Sequence, residues 1–178
     1  MTEYKRCARS LTQESLIAIG FTSGLGSIAC SVITASSEPE EVWSEVMAGP
    51  RKKRSVSHYR RWGAQRLMFE IIFDRWPPRL IALGPPSDAD EPIEWVVFMR
   101  SAVFELGKSI NVPVRLFDTD DDLAIGLGAA HRGRGAGLKT LIQKQLPDFT
   151  SNKRRVILST ATAMAGALQI RHAAATER

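Results

Sequence analysis

Four consecutive apolar residues, Leu80-Ile81-Ala82-Leu83, stand between Pro77-Pro78 and Gly84-Pro85-Pro86. A strand that reads apolar without alternation is buried on both faces, so its sheet needs a covering layer above and below. The neighbouring segments supply those layers. From about Ser55 a helical period takes over: Val56, Tyr59, Gly63, Leu67, Ile71 and Arg75 recur at three- and four-residue steps, with Ala64, Met68 and Ile72 beside them. A second line, Trp62, Phe69, Phe73 and Trp76, runs down another side of the same helix, which Pro77-Pro78 stops. Two apolar lines need two burial partners; the sheet takes one, and a neighbouring helix or second subunit takes the other. Beyond the strand, Asp90-Glu91-Pro92 has the acidic, proline-bearing composition of a helix start, and the pattern continues to about Lys108.

Residues 16–19 and 28–35 are apolar runs separated by a Gly/Ser/Thr-rich stretch, 20–27, which reads as a β-hairpin with Gly24 and Gly26 in the turn. Residues 42–47 predict a third strand and 111–117 a fifth. Residues 118–122 read as an acidic loop, 138–146 as a short helix stopped by Pro147, and 153–173 as a final helix. Three hairpin-linked strands followed by strand–helix alternation define an α/β chain: a mixed five-stranded sheet, three antiparallel strands then parallel crossovers, flanked by helices. That is a ribonuclease H-like layout. The expectation is one domain over 15–173, with a flexible segment at 1–14 and a tail at 174–178.

Of the 178 residues 44% are hydrophobic and 24% charged, ordinary values that exclude a disordered tail, a collagen-like fibre or a disulfide scaffold. Cys7 and Cys30 sit in no Cys-x-x-Cys or Cys/His metal pattern, and His58, His131 and His172 are too widely spaced for a zinc motif. The longest apolar runs fall far short of the ~20 residues that cross a bilayer. Lys5, Arg6 and Arg9 precede no apolar stretch of the kind a secretory signal requires, so the expected location is cytoplasmic. No cofactor is implied.

Charge is placed unevenly on a net +5. Residues 46–69 carry Arg51, Lys52, Lys53, Arg54, Arg60, Arg61 and Arg66 with no acid; residues 131–155 carry Arg132, Arg134, Lys139, Lys144, Lys153, Arg154 and Arg155 against Asp148 alone. Two basic blocks on one small domain suit a phosphate backbone. In the first block Ser55, Ser57, Tyr59 and Trp62 are interleaved with the cations, a mixture that can hold phosphates by charge while rings stack on unpaired bases. Candidate nucleic-acid contacts are therefore Arg51, Lys52, Lys53, Arg54, Tyr59, Arg60, Arg61, Arg132, Arg134, Lys153, Arg154 and Arg155.

Several stretches together resemble the RuvC-like Holliday junction resolvases. Ile17-Ala18-Ile19-Gly20-Phe21-Thr22-Ser23 is similar to their first strand, and Arg79-Leu80-Ile81-Ala82-Leu83-Gly84-Pro85 to their fourth. Residues 101–114, 135–146 and Ser159-Thr160-Ala161-Thr162-Ala163-Met164-Ala165 follow their later helices and fifth strand. The resemblance implies a nuclease fold in which four carboxylates hold two Mg²⁺ ions that activate water. Carried over by position, those carboxylates fall on Gly20, Leu83, Ser159 and Thr162, none of them an acid. The resemblance thus implies a pseudo-nuclease without catalytic residues or metal, binding structured or branched DNA or RNA without cleaving it. It also implies a homodimer, for which the aromatic line Trp62, Phe69, Phe73 and Trp76 is the candidate interface.

Two alternatives accompany this reading. One is a structural or regulatory protein-interaction module on the same fold. The other is a Mg²⁺-dependent junction endonuclease with relocated acids, using Asp118, Asp120, Asp121 and Asp122, or Asp88, Asp90, Glu91 and Glu94. The Gly24-Leu25-Gly26-Ser27 turn could present backbone N–H groups to a phosphate, but a plain hairpin turn is the preferred reading. The small residues of 159–167 are read as a close-packing surface for the last helix.

Overall fold

A computed structural model of the chain describes residues 17–24, 27–36, 38–48, 58–87, 92–129 and 137–176. Three long strands, β1 (Ile17–Gly24), β2 (Ser27–Thr34) and β3 (Glu41–Ala48), precede α1 (His58–Arg75). Then follow β4 (Leu80–Leu83), α2 (Ile93–Ser109), β5 (Val114–Leu116), α3 (Asp120–Gly126), α4 (Leu138–Gln145) and α5 (Arg154–Thr176). The strands form one sheet in the order β3-β2-β1-β4-β5. β1–β2 and β2–β3 pair antiparallel, whereas β1–β4 and β4–β5 pair parallel. This is the expected mixed sheet. The hairpin is tighter than expected: β1 runs on to Gly24, which pairs with Ser27, so 20–23 are strand rather than turn.

The alternation of β1 and β2 divides the core in two. Ile17, Ile19, Phe21, Ile28, Cys30 and Val32 face α1 and α2, meeting Phe69, Ile72, Phe73, Trp76, Trp95, Met99, Val103 and Leu106. Ala18, Ile33 and Ala82 face α3, α4 and α5, meeting Leu123, Ile142, Leu158, Met164 and Ala165. Leu80-Ile81-Ala82-Leu83 is covered on both sides, as its composition requires. Cys30 lies at the centre of the first layer, where burial pushes its thiol pKa up and keeps it neutral.

Two expectations need correction. The aromatic line Trp62, Phe69, Phe73 and Trp76 is not an outward interface: Phe69 is fully buried, Phe73 and Trp76 nearly so, and Trp62 packs against the same core. Phe69 lies edge-on to Phe21 with ring centroids 4.5 Å apart, and Trp76 stacks on Trp43 at 5.4 Å. The larger rings remove more apolar area from water and so win the sheet. The line left outside is the aliphatic one, Leu67, Met68 and Ile71. The second correction concerns 118–122, read as a loop. Thr119 caps α3, its hydroxyl accepting from the Asp122 backbone N–H at 3.1 Å while the Asp122 carboxylate accepts from the Thr119 N–H at 3.1 Å. This reciprocal pair turns the acidic stretch into a helix start.

α5 lies on the sheet at backbone distance. A Cβ at Gly20 would overlap the Ala163 backbone N and the Ser159 carbonyl O, and would stand 2.8 Å from the Ala163 Cα. Gly20→Ala should therefore destabilise the fold by about 3 kcal/mol, the upper range for overpacking. Gly63, exposed in α1 with nothing near its missing Cβ, serves as the control. Gly63→Ala should raise stability by up to about 1 kcal/mol. Urea denaturation midpoints check both; an unchanged midpoint for Gly20→Ala would contradict the packing described.

Candidate functional site

α5 runs antiparallel to β1: Ala163 sits at Gly20, and a Cβ at Gly166 would stand 3.6 Å from Ala18 Cβ and 3.3 Å from Ala82 Cβ. The N-terminus of α5 is therefore at the carboxyl edge of β1. The unbroken buried run from Leu158 to Ala167, mostly small residues, makes this approach possible, as the sequence implies.

Where α5 crosses that edge, the side chains it meets on β1 and just past β4 are short and neutral. By strand alternation Thr22 shares the face of Gly20; it is buried, and its hydroxyl donates to the Pro85 carbonyl. Gly84 follows β4, and a Cβ there would overlap the Thr162 hydroxyl. Thr162 Oγ1 donates back to the Leu158 carbonyl at 2.7 Å. Ser159 Oγ lies 2.8 Å from Ser31 Oγ on β2 and donates to the Val156 carbonyl at 3.2 Å. Ser31 also lies 3.1 Å from Thr160 Oγ1, which donates to Glu41 at 3.3 Å.

Of the four positions expected to have lost a carboxylate, the structure brings together Gly20, Ser159 and Thr162 but not Leu83. Gly20 faces α5, whereas Leu83 belongs to the opposite core layer with α1 and α2. Successive residues of a strand point to opposite faces, so a one-residue error in register moves a side chain across the sheet. The position on β4 that meets α5 is Gly84, and the partner nearest the edge of β1 is Thr22. Neither was identified from sequence, although the period-2 alternation of Ala18, Gly20 and Thr22 is a usable signal. Thr22, Gly84, Ser159 and Thr162 offer three neutral hydroxyls, each already hydrogen-bonded, and one missing side chain. That set does not fit a pair of divalent cations, which take anionic oxygens.

Three of the four acidic residues after β5 have partners of their own. Asp118 pairs with Arg100 at 2.9 Å, Asp120 with Arg154 at 3.2 Å, and Asp122 closes the α3 cap. Among the described residues no group of three or more His, Cys, Asp or Glu side chains is placed to hold a metal. Of the second acidic group, Glu94 lies in the first turn of α2, while Asp88, Asp90 and Glu91 lie outside the described residues.

The basic segments lead to the same edge. Arg154 donates from Nε to the Ser87 carbonyl, just past β4, at 3.3 Å. Lys153, Arg154 and Arg155 thus stand at the start of α5, whose first turn contains no acid. Cations beside the positive end of a helix dipole oppose it, so an anion placed there is doubly favoured. Lys139, in the first turn of α4, reaches Thr150 and Asn152 just before α5. α1 ends where β1 begins, because Arg79 N–H donates to the Ile17 carbonyl. Its first turn, with Tyr59, Arg60 and Arg61, therefore lies toward the opposite, carboxyl edge. Arg51, Lys52, Lys53 and Arg54, which lead into α1, and Arg132, Arg134 and the 25–26 turn lie outside the described residues. Trp62 is tilted against Phe69 at 5.5 Å and edge-on to Phe98 at 6.5 Å, so its ring joins α1 to α2.

A sheet of this order, with one long helix across its mixed centre, defines the α/β nuclease fold of the ribonuclease H class. The particular likeness is to RuvC: the structure resembles that of Thermus thermophilus RuvC over 89% of this chain and 97% of that one, with a TM-score of 0.73 at 15% identity. It is also similar to T. thermophilus RuvC in complex with Holliday junction substrate (TM-score 0.68, 15% identity, 88% and 96% covered). The yeast mitochondrial Holliday junction resolvase Ydc2 follows, with a TM-score of 0.56 at 10% identity and 87% and 80% covered. The chain has the RuvC-like resolvase fold. No protein-family model and no curated protein matches its sequence.

The hydroxyl cluster makes a quantitative prediction. Ser31→Ala should cost about 1 kcal/mol, and Ser159→Ala a similar amount. Because the two hydroxyls bond each other, the double variant should cost less than the sum by at least about 0.5 kcal/mol. A urea double-mutant cycle measures this; strict additivity would show that the two hydroxyls do not interact.

Proposed function

We propose that this protein binds branched or structured nucleic acid on the carboxyl edge of its sheet and does not cut it. The observation that carries the proposal is a juxtaposition. The start of α5 with Lys153, Arg154 and Arg155, and the start of α1 with Arg60 and Arg61, lie toward one edge. At that edge the α5 crossing is lined by Thr22, Gly84, Ser159 and Thr162 rather than by carboxylates. Cations at helix starts suit a phosphate backbone and read no sequence. A neutral, hydrogen-bonded juncture supplies neither anionic ligands for two Mg²⁺ ions nor a base for water. The RuvC fold, one example of which is solved with a Holliday junction substrate, supports a four-way junction as the first ligand to try.

Gel-shift titration of a four-way junction, a duplex and a single strand, with and without Mg²⁺ or Mn²⁺, tests both halves of the proposal. Binding should weaken steeply with salt, and the junction strands should remain intact in either metal. Replacing Arg51, Lys52, Lys53 and Arg54 with glutamate should weaken binding at least ~10-fold on every sequence. The slope of log affinity against log salt should become shallower by about 3 to 4, the loss expected for four phosphate contacts. Unchanged affinity after that replacement overturns the binding surface; metal-dependent cleavage overturns the non-cutting half.

A further inference from the structure

The far edge of the sheet, at β3, carries three features that nucleic-acid binding does not use. The first is backbone. Among the described residues β3 has β2 as its one strand neighbour, and its outer N–H and C=O groups have no strand partner among those residues, the pattern of an edge that can pair with an extended chain. The second is an apolar overhang. Leu67 and Ile71 on α1 are 62% and 67% exposed, and Met68 38%. Met68, Ile71, Ile72, Arg75 and Trp76 line, with Trp43 of β3, a cavity of about 170 Å³. Its floor is held in place: Trp43 stacks on Trp76, and the Arg75 guanidinium lies 4.6 Å above the Trp76 ring. The third is charge. Residues 38–48 contain Glu38, Glu40, Glu41 and Glu45 and no base, in a chain that is basic overall.

Register places the cavity and one of these acids, Glu45, on one face. Trp43 is opposite Val32 and Glu45 opposite Cys30. Val32 and Cys30 both belong to the core beneath α1. Trp43 and Glu45 are therefore neighbours on the α1 side of the edge, two residues apart, with Glu45 exposed. A strand laid along β3 would enter the space that α1 already overhangs.

We propose that β3 is a docking edge for an extended segment of a partner protein, which pairs with it as a sixth strand. The segment presents a large apolar side chain to the cavity beside Trp43 and, two residues away, a lysine or arginine to Glu45. Main-chain pairing supplies the attachment, and the two side chains select the segment. Glu45 disfavours phosphate beside the cavity, so this surface takes a peptide and is separate from the basic edge.

The probe is a labelled peptide of about ten residues, alternating Thr and Val, with Leu and Lys two positions apart at its centre. Its counterpart carries Glu in place of Lys. In fluorescence polarisation the Lys peptide should bind saturably and about five-fold tighter than the Glu peptide. Glu45→Lys should reverse that preference. Ile71→Asp, at a surface position, should weaken both peptides by about ten-fold while leaving circular dichroism and nucleic-acid binding unchanged. Absence of saturable binding to either peptide overturns the proposal, as does equal affinity for the two or affinity indifferent to both substitutions. If sedimentation velocity shows that Ile71→Asp converts a dimer to a monomer, the face joins copies of this chain, and the peptide proposal is likewise overturned.

Discussion

The approach of α5 to β1 at Gly20 is the contact on which the rest of the structure depends. A helix normally stands off a sheet by the length of its side chains. Here the Ala163 backbone takes the space that a Cβ at Gly20 would occupy, and Ala18, Ala82 and Gly166 keep the rest of the contact equally shallow. This closeness explains why alanines, Ala18, Ala82, Ala161, Ala163 and Ala165, recur where α5 meets the sheet, while Phe21, Phe69, Phe73 and Trp76 fill the opposite layer. It also fixes the character of the juncture at the carboxyl edge. With the helix this near, only short side chains fit between it and the strands. Those present bond to one another, to nearby carbonyls or, for Thr160, to Glu41.

Charge is arranged around that packing. The described cations nearest the juncture, Lys153, Arg154 and Arg155, begin a helix that has no acid in its first turn. Three of the four acids after β5 are spent on a cap and on two ion pairs, one of which ties Arg154 to Asp120. Such exposed pairs add little to stability; Arg154, held by Asp120, also donates to the Ser87 carbonyl just past β4. The lateral edge of the sheet, at β3, is acidic and apolar. One small sheet thus presents two edges of contrasting chemistry, suited to different partners.

Much of the fold was legible in the sequence. The unbroken run at Leu80, bracketed by prolines, required a two-sided sheet, and the hairpins before it set the antiparallel half. What escaped did so for identifiable reasons. Two apolar lines on α1 look equally hydrophobic in sequence, and only the competition for buried area shows that Phe69 and Trp76 face the sheet while Leu67 and Ile71 do not. The acids of 118–122 read as a solvated loop because charge drew attention from Thr119, whose spacing to Asp122 is that of a capping box. At the juncture, similarity in short apolar strands does not fix register to one residue. Resemblance alone points to Leu83, whereas Gly84 is the residue that meets Thr162. The small residues of α5 were read correctly, since close packing needs only composition and not register.

Anomalous diffraction from crystals soaked in manganese probes the juncture most directly. The account predicts no anomalous peak between β1, β4 and α5, with Thr22 and Thr162 still bonded to the carbonyls of Pro85 and Leu158. A peak within ligand distance of the Thr22, Ser159 or Thr162 oxygens would contradict it, because it would show that these hydroxyls help to hold an ion that this packing is argued to exclude.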